Sequence, residues 1–283
     1  MKELGYYNGR MGELSEMMIP MNDRVCYFGD GVYEAQLCRN HRIFTLDEHV
    51  DRLFRSAEML RIQVPMEKEE LKNLFRDLVK KMEDGDLMLY YQVTRGGGKR
   101  NHAFPKGPAN LWVTLTPKKV NPSTEPISLI TGEDTRFLHC NIKTLNLLPS
   151  VMASQKATEA GCYECVFYRP GERVTECSHS NIHIIKDGVF YTAPTDNLIL
   201  AGIARAHLIR ACEKLGIPVS ETPFTLSDLR NADEIITSSS TAPCNRACSV
   251  DGVPCGMKRE DLFLALHKEI FDEFYAETEK EEE

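Results

Sequence analysis

Lys143 stands in the run "IKTLNLLPS", residues 142–150, between Ile142 and Thr144 and ahead of a mostly apolar stretch. Most lysines lay their stem along the surface and keep the ammonium in water. In apolar company the amine has another option, because desolvation disfavours the charged form and leaves a nucleophile or base. Two other short runs offer donors for an anion. "LAGIARAH" puts Gly202, Ile203 and Ala204 at a helix start, and "ITSSSTAP" puts Ser238, Ser239, Ser240 and Thr241 directly after a strand. The N–H groups at a helix N-terminus, together with its dipole, favour negative charge. Each run alone reads as an ordinary helix start or a Ser-rich turn; together they suggest an anion.

No nucleotide motif claims that anion. "RGGGKR", residues 95–100, lacks the leading glycine of a P-loop and the Ser or Thr after its lysine. A lysine in an apolar setting plus a phosphate cup suggests pyridoxal phosphate, whose aldehyde condenses with a lysine and whose ring nitrogen needs a partner from the protein. Cys162, Cys165, Cys177 and His179 could be arranged as a zinc site, but tandem CxxC spacing is absent. The segment "CYECVFYRPGERVTE" reads instead as two strands joined by a Pro-Gly turn, with cysteine as a small buried hydrophobe. No metal is expected.

These residues need elements to hold them. Leu46, Val50, Leu53, Phe54, Ala57 and Leu60 fall on one helical face, as do Leu71, Leu74, Phe75, Leu78, Val79 and Met82. Pro65 separates the two helices and Gly85 stands where the second should stop. Strands "LMLYYQVTR" and "NLWVTLT" follow, joined by the loop "GGGKRNHAFPKGPA". The three prolines of "PKKVNPSTEP" mark a linker. Beyond it come the strand "ISLIT", a helix around "LPSVMASQKATEAG" and a hairpin "NIHIIKDGVFYTA" around an Asp-Gly turn. Ile182, Ile184, Val189 and Tyr191 would share that hairpin's buried face. Helices near "GIARAHLIRACEKLG" and "SDLRNA", the strand "DEIIT" and a last helix from about Glu260 complete the chain. The expectation is an α+β fold: a small N-terminal α/β domain over 1–117, a linker over 118–125, and a larger mixed-sheet domain over 126–283.

Composition narrows the function classes. With 283 residues, 42% hydrophobic and 27% charged, the chain can bury a large core and is not of disordered composition. A net charge of −8 argues against a nucleic-acid or anionic-membrane binder, and the acidic tail "ETEKEEE" reads as a solvated terminus. No secretory leader and no long apolar run is present, so the ten cysteines are expected to be reduced thiols in a cytoplasmic protein.

Five stretches carry a resemblance. "FGDGVYE" (28–34), "TRGGGKRNHAFP" (94–105), "IKTLNLLPS", "VTECSHSN" (174–181) and "LILAGIAR" (198–205) occur in the order and approximate spacing of the fold-type IV pyridoxal phosphate transaminases. The pattern most resembles the D-amino acid aminotransferases, and the likeness runs from Tyr7 to the last helix. It implies pyridoxal 5'-phosphate as cofactor, Lys143 as the Schiff-base lysine and mover of the proton, and Glu176 as the carboxylate beside the ring nitrogen. Arg52 matches the phosphate-pairing arginine, whose planar fork suits that contact. Leu200 matches the residue packed on the ring, and Ile203, Ala204, Ser239 and Ser240 match the phosphate cup.

Tyr33, Arg100 and His102 match a trap for the substrate α-carboxylate, with the Arg and His loop reaching over from a partner subunit. A fixed cation and two polar donors would orient Cα toward the lysine, so the trio implies D-selectivity. The resemblance thus implies a homodimer, and ping-pong transfer of an amino group between D-amino acids such as D-alanine, D-glutamate or D-aspartate and 2-oxo acids. Branched-chain L-amino acid aminotransfer, aminodeoxychorismate lysis and a non-catalytic cofactor-binding homologue are the alternatives. The complete trio opposes the first two, and Lys143 with Glu176 opposes the third. Departures from the pattern are Ala204, where threonine is frequent, and Cys177 and His179, where Gly and Ser are usual. On the pocket wall, Arg246 in the loop "TAPCNRACS" is a candidate to meet an acidic substrate side chain.

Overall fold

The computed structural model describes residues Met1–Glu279. Its chain forms two compact units. The first comprises Met1–Val120, Ile142–Asn146 and, of the described residues, 274–279; the second comprises Asn121–Asn141 and Leu147–Glu273. Two stretches expected in the later domain therefore group with the first unit. The reason is local: Val32 bridges Thr144 antiparallel, and Asn40 Nδ2 and Arg42 Nε donate to the carbonyls of Thr278 and Glu277 at 3.0 and 3.2 Å.

The first unit is built on one antiparallel sheet. Its strands are β1 (Leu4–Tyr7), β2 (Arg10–Glu13), β3 (Gly31–Arg39), β4 (Arg42–Ile43), β5 (Leu87–Thr94) and β6 (Asn110–Pro117), in the order β2-β1-β6-β5-β3-β4. A short helix α1 (Arg24–Phe28) precedes β3, and α2 (Leu46–Met59) and α3 (Lys68–Val79) connect β4 to β5. The apolar faces legible in the sequence do the packing. Val50, Leu53 and Ala57 of α2 and Leu71, Phe75, Leu78 and Val79 of α3 join Val32, Leu89, Tyr91, Val93 and Val113 in one buried core. Because side chains alternate along a strand, Tyr33 lies on the opposite face of β3 from Val32 and Glu34. Gly31 has no room for a side chain: a Cβ there would sit 2.7 Å from both the Val93 carbonyl oxygen and Leu145 Cδ1.

The second unit carries a mixed sheet. Its elements are β7 (Ile127–Glu133), α4 (Leu148–Glu159), β8 (Glu164–Arg169), β9 (Arg173–Cys177), β10 (Asn181–Lys186), β11 (Val189–Thr192), α5 (Ile203–Leu215) and β12 (Val219–Ser220). Then follow α6 (Leu226–Arg230), β13 (Glu234–Ser239), β14 (Ala242–Val250), β15 (Val253–Pro254) and α7 (Glu260–Glu277). The sheet order is β12-β11-β10-β13-β14-β7-β8-β9, with β15 on β14; β12 on β11, β14 on β7 and β7 on β8 are parallel, and the other pairs are antiparallel. In the β10–β11 hairpin Ile182 and Ile184 enter the core with Tyr191 packed against it, whereas Val189 at the turn is only half-buried. Cys165 and Cys177 are buried, consistent with packing as small apolar groups.

Candidate active site

In the first unit, β3, α2 and the stretch 142–146 converge on Lys143. Tyr33 N donates to the Lys143 carbonyl at 3.0 Å and Lys143 N donates to Ser56 Oγ at 3.3 Å, so the lysine backbone is pinned to both elements. Its side chain is half-buried, with Nζ 4.3 Å from the centre of the Tyr33 ring. It makes no ion pair among the described residues, unlike Lys68, Lys72, Lys186 and Lys214, each of which meets a carboxylate.

Beside α2 lies a buried cluster. Glu34 accepts from Arg52 Nε at 2.8 Å and Nη2 at 2.7 Å, and the His49 ring joins the same carboxylate at 2.7 Å. Burial alone would raise the Glu34 carboxyl, but Arg52 and then His49 drive it far below the usual carboxylate range. Burial holds His49 below its ordinary value, with Arg52 and Lys143 acting in the same direction against Glu34. The Arg52 guanidinium is thus oriented by Glu34, its planar fork aimed by two bonds rather than one.

Arg100 and His102 lie exposed on the loop after β5. Both flank Phe28: the Arg100 guanidinium carbon stands 5.5 Å from the ring centre and the His102 ring 5.3 Å. The loop is anchored by residues that sequence reasoning misses. Arg24 donates to Asp30 at 2.7 Å and to carbonyls of Asn101 and Ala103; Arg95 shares Asp30 at 3.0 Å and lies 3.7 Å over the Phe104 ring. On the face of the sheet that Tyr33 occupies, Tyr90 stacks 5.6 Å from it and Trp112 5.6 Å beyond.

In the second unit, Glu176 sits near the end of β9, buried. Its Oε2 accepts from Leu200 N at 2.9 Å and Asn181 Nδ2 at 3.1 Å, and Arg136 Nη1 donates to Oε1. Asn181 Nδ2 also donates to the Leu200 carbonyl at 3.0 Å, so one amide ties the two sequence-predicted residues Glu176 and Leu200 together. Burial pushes the Glu176 carboxyl above its ordinary value; Arg136 is the largest opposing influence. Ile203 and Ala204 open α5, where Gly202 is the N-cap and no side chain caps the helix. Gly202 is required by close approach, since a Cβ there would meet Asn181 Oδ1 at 1.9 Å. Ser239 ends β13 and its hydroxyl accepts from Ala242 N at 3.2 Å; Ser240 follows in the turn. Behind the neighbouring Ser238, buried His183 bridges Ser238 Oγ at 2.8 Å and Thr192 Oγ1 at 2.9 Å.

The expectation for Arg246 is corrected. The segment around it is the strand β14, not a loop, and Arg246 is turned inward, its Nε and Nη2 each 2.7 Å from the buried Glu234 carboxylate. A guanidinium engaged in this way is not presented to a substrate side chain. His179, one of the departures from the motif, leans on Glu164, which also accepts from Ser180 N and Oγ at 2.9 and 2.6 Å. Among the described residues no group of three or more His, Cys, Asp or Glu is placed to hold a metal ion.

The fold is shared with solved transaminases. The branched-chain amino acid aminotransferase from Escherichia coli superposes with a TM-score of 0.89 at 24% identity, covering 99% of this chain and 97% of that one. The branched-chain amino acid aminotransferase from Thermoproteus uzoniensis, solved with norvaline, gives 0.88 at 23% identity, covering 99% and 96%. Residues 31–250 match the amino-transferase class IV family, and the chain belongs to it. A D-alanine aminotransferase of Listeria monocytogenes is 41% identical over 273 residues, 94% of each chain. The protein is a pyridoxal 5'-phosphate-dependent aminotransferase of fold type IV.

The residues present fit that cofactor. In the first unit Lys143 offers an amine with no ion-pair partner among the described residues; in the second unit α5 offers an N-terminus that no side chain caps. Glu176 offers a carboxylate with three of its about four acceptor positions filled.

Proposed function

We propose that this protein transfers amino groups between D-amino acids, D-alanine among them, and 2-oxo acids. The observation that carries the reading is Lys143: half-buried, pinned by its backbone, with its amine over Tyr33 and no carboxylate among the described residues to hold it as a surface charge. The relatives named D-alanine aminotransferase at 41% identity support the D-series substrate. When bound, the cofactor supplies an electron sink and carries the amino group.

The chain's residues do the rest. Lys143 Nζ would be the covalent attachment point and, once released, the base placed to take the proton from the substrate Cα. In the first unit Arg52, oriented by Glu34, would pair with the phosphate; in the second unit the N–H groups of Ile203 and Ala204 and the hydroxyls of Ser239 and Ser240 are the donors such an anion would use. Loss of a hydroxyl at Ala204 leaves its backbone donor intact. Leu200 would line the ring, and Glu176 would hold a proton at the ring nitrogen. Tyr33, Arg100 and His102 bind the α-carboxylate and fix which face of Cα meets Lys143.

We place the enzyme in the cytoplasm as a homodimer in which the Arg100 and His102 loop serves the neighbouring subunit. The support is the surface of α4, where Leu148, Val151 and Met152, at i, i+3 and i+4, are 71%, 58% and 63% exposed. Such an apolar stripe is covered in a stable oligomer; a fully active monomer in sedimentation would contradict this arrangement. No helix among the described residues is long and apolar enough to cross a membrane. The site assignment is tested by borohydride reduction of the cofactor-loaded protein followed by peptide mass mapping. The expected cofactor adduct is on the peptide containing Lys143; an adduct on any other lysine refutes it.

A further inference from the structure

Glu176 depends on a residue that neither the motifs nor the resemblance picked out. Arg136, on the segment after β7, is held on all sides. Its Nε and Nη2 each donate to Asp134 at 2.9 Å, Nη2 also reaches the Leu198 carbonyl at 3.2 Å, and its guanidinium carbon lies 4.7 Å from the Phe167 ring centre. The remaining nitrogen, Nη1, donates to Glu176 Oε1. Asp134 is itself fixed by Arg169 Nε at 3.1 Å, Thr175 Oγ1 at 3.0 Å and Arg136 N at 3.1 Å. An aspartate, two arginines and a threonine together fix the direction of a single N–H bond to Glu176.

We propose that Arg136, locked by Asp134, is a positioning residue for transamination: it aims Glu176 Oε1 and keeps that carboxylate ionised, so that Glu176 can hold the proton on the cofactor's ring nitrogen. This rests on the reading of Glu176 given above. Three of the carboxylate's contacts are accounted for by Arg136, Asn181 and Leu200, and the remaining acceptor position on Oε1 is the one Arg136 orients. Of the charged groups that face Glu176, Asp134 opposes its ionisation and Arg136 favours it, by charge and by hydrogen bond. The nearby thiols of Cys140 and Cys177 are pushed up by burial and stay neutral. Without Arg136, burial and Asp134 would act on Glu176 together, and a protonated Glu176 could no longer support a charged ring nitrogen.

The test uses NMR of the isotope-labelled ring nitrogen in cofactor-loaded protein, from about pH 6 to about pH 9. Wild type is expected to keep that nitrogen protonated throughout. Arg136→Gln is expected to lose the proton within this range and to lower kcat for D-alanine by about tenfold or more, one pK unit being a factor of ten, with KM little changed. Arg136→Lys, which restores a cation, should recover the protonated signal. Arg136→Met, which removes the cation but keeps much of the side chain's bulk against Phe167, should lose the protonated signal as Arg136→Gln does and serves where that variant does not fold. The same nitrogen signal in wild type, Arg136→Gln and Arg136→Met overturns the proposal while leaving the role of Glu176 standing. If Glu176→Gln also leaves the signal unchanged, the reading of Glu176 fails with it.

Discussion

Each unit buries a glutamate against an arginine, and the two carboxyls shift in opposite directions. In the first unit Glu34 takes two N–H groups of Arg52 and the ring of His49, and its carboxyl is driven down. In the second, Glu176 receives one N–H of Arg136, whose Nε and Nη2 go to Asp134, and its carboxyl is pushed up. Burial penalises both charges; the number of charged donors each receives decides the outcome. A carboxylate with its own bidentate arginine is a structural anchor. One that shares its arginine with a second carboxylate, as Glu176 does with Asp134, is held in its ionised form less firmly.

Substitution should expose this difference. Glu34→Gln leaves the Arg52 charge buried without its counter-ion, and we expect a loss of about 3–5 kcal/mol in urea unfolding of the cofactor-free protein. Its pH dependence has a definite sign. A carboxyl depressed in the folded state contributes stability above its unfolded value, about 4.3, and loses it progressively as pH falls below. The gap between wild type and Glu34→Gln should therefore narrow in acid. An unchanged gap at about pH 3 would mean that Glu34 is not held ionised.

A histidine extends the comparison. In the first unit His49 leans on a carboxylate; in the second, His183 bonds to the hydroxyls of Thr192 and Ser238, and burial lowers it to about 3. A folded value below the unfolded one, about 6.5, means that stability is lost as pH falls through 6.5 toward the folded value. From this group alone we expect the protein to lose about 2 kcal/mol by pH 5 relative to neutral pH. His183→Asn should lack that portion of the acid loss; an identical acid loss in the variant would remove His183 as its source.

The smallest stability effect is expected at Glu176. In Glu176→Gln, Arg136 keeps Asp134 as partner, so unfolding should shift by about 1 kcal/mol or less. Turnover should fall much more than stability does. A loss comparable to that of Glu34→Gln would make the two pairs equivalent and erase the distinction.

Much of this is legible in the sequence where the signal is local. The apolar periodicity of α2 and α3 and the Asp-Gly turn between β10 and β11 follow from neighbours within a few residues. The quoted motifs likewise single out Lys143, Glu176, Arg52 and the α5 start as candidates. What escapes depends on partners far along the chain: Arg24 reaches the loop 77 residues on, and Arg136 reaches Glu176 over 40. No spacing rule relates such pairs. The strand β14 reads as a loop because "APCNRACSV" has little apolar alternation; its arginine is accommodated inside by Glu234, a pairing set by the register of β13 against β14. The grouping of 142–146 with the first unit escapes for the same reason, since its bridge joins Thr144 to the distant Val32.

The central claim, a D-selective aminotransferase, is tested most directly by the visible absorbance of the cofactor-loaded protein before and after D-alanine or L-alanine, with no oxo acid present. Loss of the lysine-linked cofactor's absorbance with D-alanine and its persistence with L-alanine are expected. Loss with L-alanine alone would keep the family and contradict the carboxylate trap of Tyr33, Arg100 and His102.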